Sequence, residues 1–236
     1  MEIVVRISAL ACGLVFGLFQ TGYIVGKSKG IDLREHGSGN SGATNTLRVM
    51  GARYGFLVLG GDALKTILAM LIVYFTFGNM YPKMRILLTV YAALGCIISH
   101  DFPFYMHFKG GKGIACTAGF CICLAIFNPL FFFLTFVVFL IPFLTTHYVS
   151  LGSIMVYVAV MAEFVIFGQN GWLRYDYKQD VLIECYIIIF FLMCLAIFQH
   201  RKNIGRLVKG EESKTYLSKK KREEYKAMMA KKADNK

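Results

Sequence analysis

Three polar segments, each set between apolar runs, carry the residues that could do chemistry. The first reads Gly37-Ser38-Gly39-Asn40-Ser41-Gly42-Ala43-Thr44-Asn45-Thr46-Leu47-Arg48. Its glycines let backbone N–H groups turn inward, and its hydroxyls and amides add donors ahead of a lone arginine. Such a concavity suits phosphate. A flexible Gly/Ser linker is the plainer alternative, but linkers seldom hold Asn-rich polar groups ending in a single Arg.

The second segment runs from His100 through Phe102-Pro103 to Phe108-Lys109-Gly110-Gly111-Lys112-Gly113. It resembles a nucleotide phosphate loop but fails that pattern. Met106 stands where the first Gly is needed, and Gly113 where Ser or Thr must follow Lys112. Backbone amides with Lys112 could cradle a phosphate without implying ATP. Equally, this could be a juxtamembrane turn with lysines reaching lipid headgroups. The third segment, His200-Arg201-Lys202-Asn203-Ile204-Gly205-Arg206, puts His200, Asn203 and Arg206 three apart on one helical face. A basic helix end touching anionic lipid would look the same.

Three ionisable groups fall inside apolar runs. Asp62 and Lys65 are three apart and could pair, either as a functional group or as a structural ion pair supporting the first loop. Glu163 lies near the outer end of its run and Glu184 near the outer start of the last, where both are expected to reach the interface. Familiar enzyme signatures are missing. There is no His-Glu-x-x-His, no Gly-x-Ser-x-Gly and no His-x4-Asp. Nor is there a Cys/His cluster with metal-ligand spacing, so neither metal nor cofactor is expected. The seven cysteines are an odd number and most sit in apolar runs, as small hydrophobes do.

Positioning these segments falls to the apolar runs. The chain has 236 residues, 56% apolar and 17% charged, with a mean hydropathy of +0.55. A soluble domain carries about 25% charge, so a soluble enzyme, a disordered chain and a nucleic-acid-binding domain are poor readings. Seven apolar runs lie near Ile3–Gly26, Tyr54–Phe77, Met84–Ser99, Ile114–Phe127, Leu130–Thr146, Leu151–Phe167 and Val181–Gln199. The third and fourth are short for a full crossing, and Asn128-Pro129 breaks the fourth from the fifth. The expectation is an all-α polytopic membrane protein with about seven transmembrane helices and short loops.

Charge sets the orientation. Segments 27–53 and 100–113 and the tail hold most of the Lys and Arg, and seven spans place all three on one side. The positive-inside rule makes that side cytoplasmic, with the N-terminus outside and the C-terminus cytoplasmic. Six spans would separate the basic tail from the first basic loop. From Arg201 onward, 13 Lys/Arg face 5 Asp/Glu. The expected organisation is therefore a seven-span unit over residues 1–213 and a basic cytoplasmic tail over 214–236. Weak apolar periodicity in that tail suggests a frayed surface helix, dispensable for chemistry.

With these loops in view, the sequence resembles the bacterial acyl-phosphate:glycerol-3-phosphate acyltransferases, polytopic enzymes of phospholipid synthesis. The resemblance rests on Gly37–Arg48, on His100 with Phe102-Pro103 and Phe108–Gly113, on Tyr148–Ile154, and on His200 through Gly210-Glu211. Asp62 and Lys65 also sit where the family has such a pair. Ser99, Thr66 and Thr146-His147 depart from the usual residues.

The resemblance implies transfer of a fatty acyl group from acyl phosphate to the 1-hydroxyl of glycerol 3-phosphate, giving lysophosphatidate and phosphate. It implies a multi-pass protein of the bacterial inner (cytoplasmic) membrane, its active site facing the cytoplasm, and a functional link to an acyl-phosphate-forming enzyme. Carried over by motif, His200, Asn203, Lys112 and Ser153 are the expected catalytic residues. Ser38, Gly39, Asn40, Asn45, Arg48, His100, Lys109, Gly110, Gly111 and Gly113 are the expected phosphate-binding residues. The family is thought to let the phosphate of glycerol 3-phosphate assist the attacking hydroxyl, with His200 orienting. Two other function classes remain open: a transporter for a phosphorylated solute, though no matching halves are found, and a scaffold docking anionic lipid.

Overall fold

The computed structural model describes residues 1–234, and among them every regular element is helical. The first apolar run is broken into α1 (Glu2–Gly17) and α2 (Thr21–Lys27). The break sits at Gln20, whose backbone is extended. Its buried amide donates to the carbonyls of Gly17 at 3.2 Å and His100 at 3.0 Å. The last carbonyls of α1 lack helical partners, and Lys65 Nζ supplies one, donating to Phe19 O at 2.6 Å and Gly17 O at 3.3 Å.

The polar first loop leads into α3 (Ala43–Met50), then α4 (Ala52–Phe75) and the short α5 (Phe77–Met80). Helix α6 (Arg85–Asp101) stands at the centre of the bundle, with Ile86, Leu87, Leu88, Val90 and Ala92 fully buried. With its flanking 3-10 turns the third run spans Pro82–Met106, long enough to cross, and 83% of its most apolar window is buried. This run was expected to be short. Counting only apolar residues misses the turns at either end.

Helices α1 and α6 touch backbone to backbone. A Cβ on Gly95 would strike Leu10 O, so glycine is required for this approach. The remaining helices are α7 (Ile114–Leu124), α8 (Leu130–Thr146), α9 (Val149–Gln169), α10 (Gln179–Gln199), α11 (Arg201–Val208) and α12 (Lys219–Asp234). The turn between α7 and α8 is at Asn128-Pro129, where Asn128 Oδ1 accepts from Leu130 N at 2.9 Å.

Among the described residues, five helical segments are long and apolar enough to cross a membrane, and α7 and α8 are shorter apolar helices. The outward faces are apolar too, with Phe133 59% and Ile187 64% exposed, a surface made for lipid rather than water. This is a polytopic all-α membrane protein. Glu163 departs from expectation. It is buried on the inner face of α9 and accepts from Thr135 Oγ1 of α8 at 3.2 Å instead of reaching an interface. A hydroxyl one helix away satisfies it, which no local pattern could announce. Glu184 is partly exposed and takes a bidentate Arg6 fork at 2.8 and 2.9 Å, with the Tyr91 hydroxyl at 2.7 Å.

Candidate active site

The three polar segments meet around one polar cavity at one end of the bundle. Three helices begin there. Gly42, Ala43 and Thr44 at the start of α3, Gly113, Ile114 and Ala115 at the start of α7, and Val149 and Ser150 at the start of α9 all line it. The first N–H groups of a helix have no intrahelical acceptor. Three such termini aimed at one space favour an anion before any side chain is considered.

Charged side chains add to this. Arg48 and Lys112 both line the cavity. Burial pulls the Arg48 guanidinium below its ordinary value. Burial also pushes the Lys112 ammonium down to about 8, and the neighbouring Arg206 charge pushes the same way. Two cations held in a desolvated space gain more from an incoming phosphate than they would in water. Lys112 Nζ donates to Asn203 Oδ1 of α11, which joins the second polar segment to the third.

Glycines let the second loop fold this tightly. Gly113 has φ +74, in the left-handed region where a side chain is strained. A Cβ on Gly111 would overlap Nε2 of His100. His100 lines the cavity, and behind it lies a buried ionic group. Lys65 Nζ is 2.8 Å from His100 Nδ1 and 3.1 Å from Asp62 Oδ1. An ammonium can only donate, so His100 Nδ1 accepts and its proton sits on Nε2. The pair expected between Asp62 and Lys65 is thus present and doubles as the support of His100.

His200 is buried at the end of α10, its Nδ1 2.8 Å from Ala196 O. A carbonyl can only accept, so Nδ1 carries the proton and Nε2 offers a lone pair. Burial holds this imidazole down at about 4, so it stays neutral. Ser153 Oγ donates to Val149 O at 2.8 Å, which likewise leaves its oxygen as an acceptor.

The expected site residues separate into groups. Ser38, Arg48, His100, Lys112, Gly113, Ser153, His200 and Asn203 all line the cavity. Asn40 and Asn45 line it as well, yet their amides fasten the loop. Asn45 Oδ1 accepts from Ser38 N at 2.8 Å, and its Nδ2 donates to Leu33 O and His36 O at 3.0 and 2.9 Å. Asn40 donates to Gly110 O at 3.2 Å and accepts from Gly42 N at 2.9 Å. Gly110 and Gly111 shape the loop from behind, their N–H groups bonded to Asp101 O and His100 O at 3.1 Å. Gly39 lies outside the lining, and Lys109 is exposed and away from the cavity.

Two residues not expected from the sequence are central. The Glu212 carboxylate is buried and accepts from Asn203 Nδ2 at 2.7 Å, Ser150 Oγ at 3.0 Å and Arg206 Nε at 2.6 Å. Burial raises its proton affinity, but these three donors outweigh that and hold it below the usual carboxylate range. A lone acidic pair, Glu211-Glu212, after a basic helix was the available signal for Glu212; Ser150 sat within the quoted Tyr148–Ile154 segment. Among the described residues, no three His, Cys, Asp or Glu side chains come together as a metal cage.

Comparison with known proteins agrees with this geometry. Residues 7–210 match the family described as glycerol-3-phosphate acyltransferase. A glycerol-3-phosphate acyltransferase 2 from Moorella thermoacetica is 38% identical over 207 residues, covering 87% of this chain and 95% of that relative. A glycerol-3-phosphate acyltransferase from Mycoplasmopsis agalactiae is 34% identical over 224 residues, covering 87% and 92%. Crystal structures of PlsY (YgiH), an integral membrane glycerol 3-phosphate acyltransferase, superpose on this fold. The glycerol 3-phosphate form gives a TM-score of 0.73 at 31% identity, covering 89% of this chain and 96% of that one. The lysophosphatidic acid form gives 0.71 at 29% identity, covering 90% and 96%. A match over nearly the whole membrane unit leads to one conclusion: the chain belongs to the glycerol-3-phosphate acyltransferase family.

Proposed function

We propose that this chain transfers a fatty acyl group from acyl phosphate to the 1-hydroxyl of glycerol 3-phosphate. The observation that carries this reading is the convergence of three helix N-termini with Arg48 and Lys112 on one polar cavity. Both proposed substrates carry phosphate, and a site for two anions needs that much positive potential. The hydroxyl oxygen attacks the acyl carbonyl carbon, the bond from that carbon to the phosphate oxygen breaks, and phosphate leaves with the electron pair. Lysophosphatidate and phosphate are the products.

Arg48, Lys112 and the helix termini would hold the phosphates. Ser153 Oγ and His200 Nε2 are both left as acceptors, which suits them to receive the two glycerol hydroxyls. An imidazole held near 4 is a weak base at neutral pH, so His200 orients the hydroxyl and a phosphate oxygen takes the proton. Asn203 holds Lys112, and Glu212 holds Asn203.

The membrane setting follows the same reading. The apolar outer faces belong in a lipid bilayer, in seven spans with the cavity on the basic, cytoplasmic side of a bacterial inner membrane. Acyl phosphate must come from an enzyme that phosphorylates or phosphorolyses an acyl group. The test is purified protein in lipid nanodiscs with palmitoyl phosphate and glycerol 3-phosphate. Stoichiometric release of phosphate and lysophosphatidate is expected. Acylation from acyl-CoA but not from acyl phosphate would overturn the donor assignment.

A further inference from the structure

The match to the family ends at Gly210, yet the chain does not leave the site there. Residues 212–216 run back across the cavity rim as a strap. Arg48 Nη2 donates to Ser213 O and to Thr215 Oγ1, both at 2.9 Å. Thr215 is 3% exposed, and its N–H donates to His147 O at 2.9 Å. The Tyr216 ring lies 4.6 Å from the His147 ring, and the Tyr225 hydroxyl of α12 accepts from Lys214 N at 3.3 Å.

His147 caps the end of α8, two residues before α9 delivers Val149, Ser150 and Ser153 to the cavity. The strap therefore ties the element that brings Arg48 to the cavity to the α8–α9 junction that leads to Ser153. Two acceptors on Nη2 hold the plane of the Arg48 guanidinium.

We propose that Thr215 is a positioning residue: with the Ser213 carbonyl it sets the Arg48 guanidinium for phosphate and ties it to the α8–α9 junction. This rests on the reading of Arg48 as a phosphate-binding group. The segment 213–216 then belongs to the active site, although it lies beyond the family match and all but Ser213 falls within the stretch expected to be a basic tail dispensable for chemistry. The ligand chemistry concerned is a phosphate group, supplied by either glycerol 3-phosphate or acyl phosphate.

The experiment measures kcat and the KM for each substrate on the full-length protein in nanodiscs, alongside its thermal midpoint. The variants are Thr215→Ala, Thr215→Ser, Arg48→Lys and the Arg48→Lys/Thr215→Ala double. Thr215→Ala is expected to raise one KM about tenfold with a smaller change in kcat, and Thr215→Ser to restore it. Whichever KM rises identifies the phosphate that Arg48 holds. In the Arg48→Lys background, Thr215→Ala is expected to change that KM less than twofold, because the fork it orients is gone. A Thr215→Ala protein with a lowered thermal midpoint and both KM values unchanged would overturn the proposal and leave the strap a stability element. Wild-type KM values in Arg48→Lys would instead sink the assignment of Arg48 itself. A raised KM in Arg48→Lys with none in Thr215→Ala would sink only the positioning role.

Discussion

Lys112 of the glycine-rich loop donates its ammonium to Asn203 Oδ1 of α11, and the other end of the same amide donates to Glu212 at 2.7 Å. One asparagine thus links the cation proposed to hold phosphate to a buried carboxylate. The carboxylate is spent on Ser150, Asn203 and Arg206, so its charge steadies the basic cluster without blocking it.

Lys112→Ala and Arg48→Ala should each lower kcat/KM by about 10²–10³-fold, corresponding to roughly 3–4 kcal/mol of transition-state binding by analogy with lost oxyanion donors. Both should still insert in the membrane, since neither lies in a span. The check is phosphate release at matched amounts of folded protein. Near-normal turnover in either variant would remove that residue from the site.

A second expectation concerns pH. The proposed phosphate contact requires a protonated Lys112, and burial holds its ammonium down to about 8. As pH rises through that value the charge is lost, so kcat/KM should fall on the alkaline side of about 8. On the acid side, the limb should follow the substrate phosphate, whose second proton leaves near a pKa of about 6. Lys112→Arg stays charged and should flatten the alkaline limb while running slower overall. An alkaline limb unmoved by that substitution would assign it to another group.

Glu212→Ala should destabilise the protein. It strips the acceptor from two buried donors, Ser150 and Asn203, and from the part-exposed Arg206, and each unsatisfied buried group costs about 1–3 kcal/mol. Glu212→Gln keeps a carbonyl for Asn203 or Ser150 and should be milder. Thermal unfolding in detergent, read beside activity, ranks the two. Equal midpoints for wild type and Glu212→Ala would contradict the network.

The buried Lys65–Asp62 pair gives a further test. Lys65→Met removes the cation beside Asp62 and the donor to His100 Nδ1 and Phe19 O, while Gly17 O keeps Gln20 and Asp62 Oδ1 keeps Thr21 Oγ1. Breaking a buried pair from one side costs about 3–5 kcal/mol. The Asp62→Asn/Lys65→Met double should lose less than the sum of the two single changes. Strict additivity in a double-mutant cycle would mean the two groups do not interact.

The sequence by itself determined the elements. Seven apolar runs, a break at Asn128-Pro129 and a one-sided distribution of Lys and Arg are local properties, and helix formation in an apolar setting follows from them. The polar segments at their ends carried the right chemistry because glycine, amide and cation were neighbours along the chain. Tertiary structure decided what each polar group does. Asn40 and Asn45 have the composition of phosphate ligands, but the carbonyls and amides that consume them come from turns that close only in the fold. Glu163 faces inward because Thr135 of the next helix waits there. Glu212, at the end of the third polar segment, and Thr215, in the basic tail, gain their roles only in the fold, where Ser150 and Asn203 converge on the first and Arg48, 167 residues away, meets the second. Spacing fixes which side chains share a helical face. Which face meets which is set by close packing among helices distant in sequence, and three helix N-termini met at one cavity only through that packing.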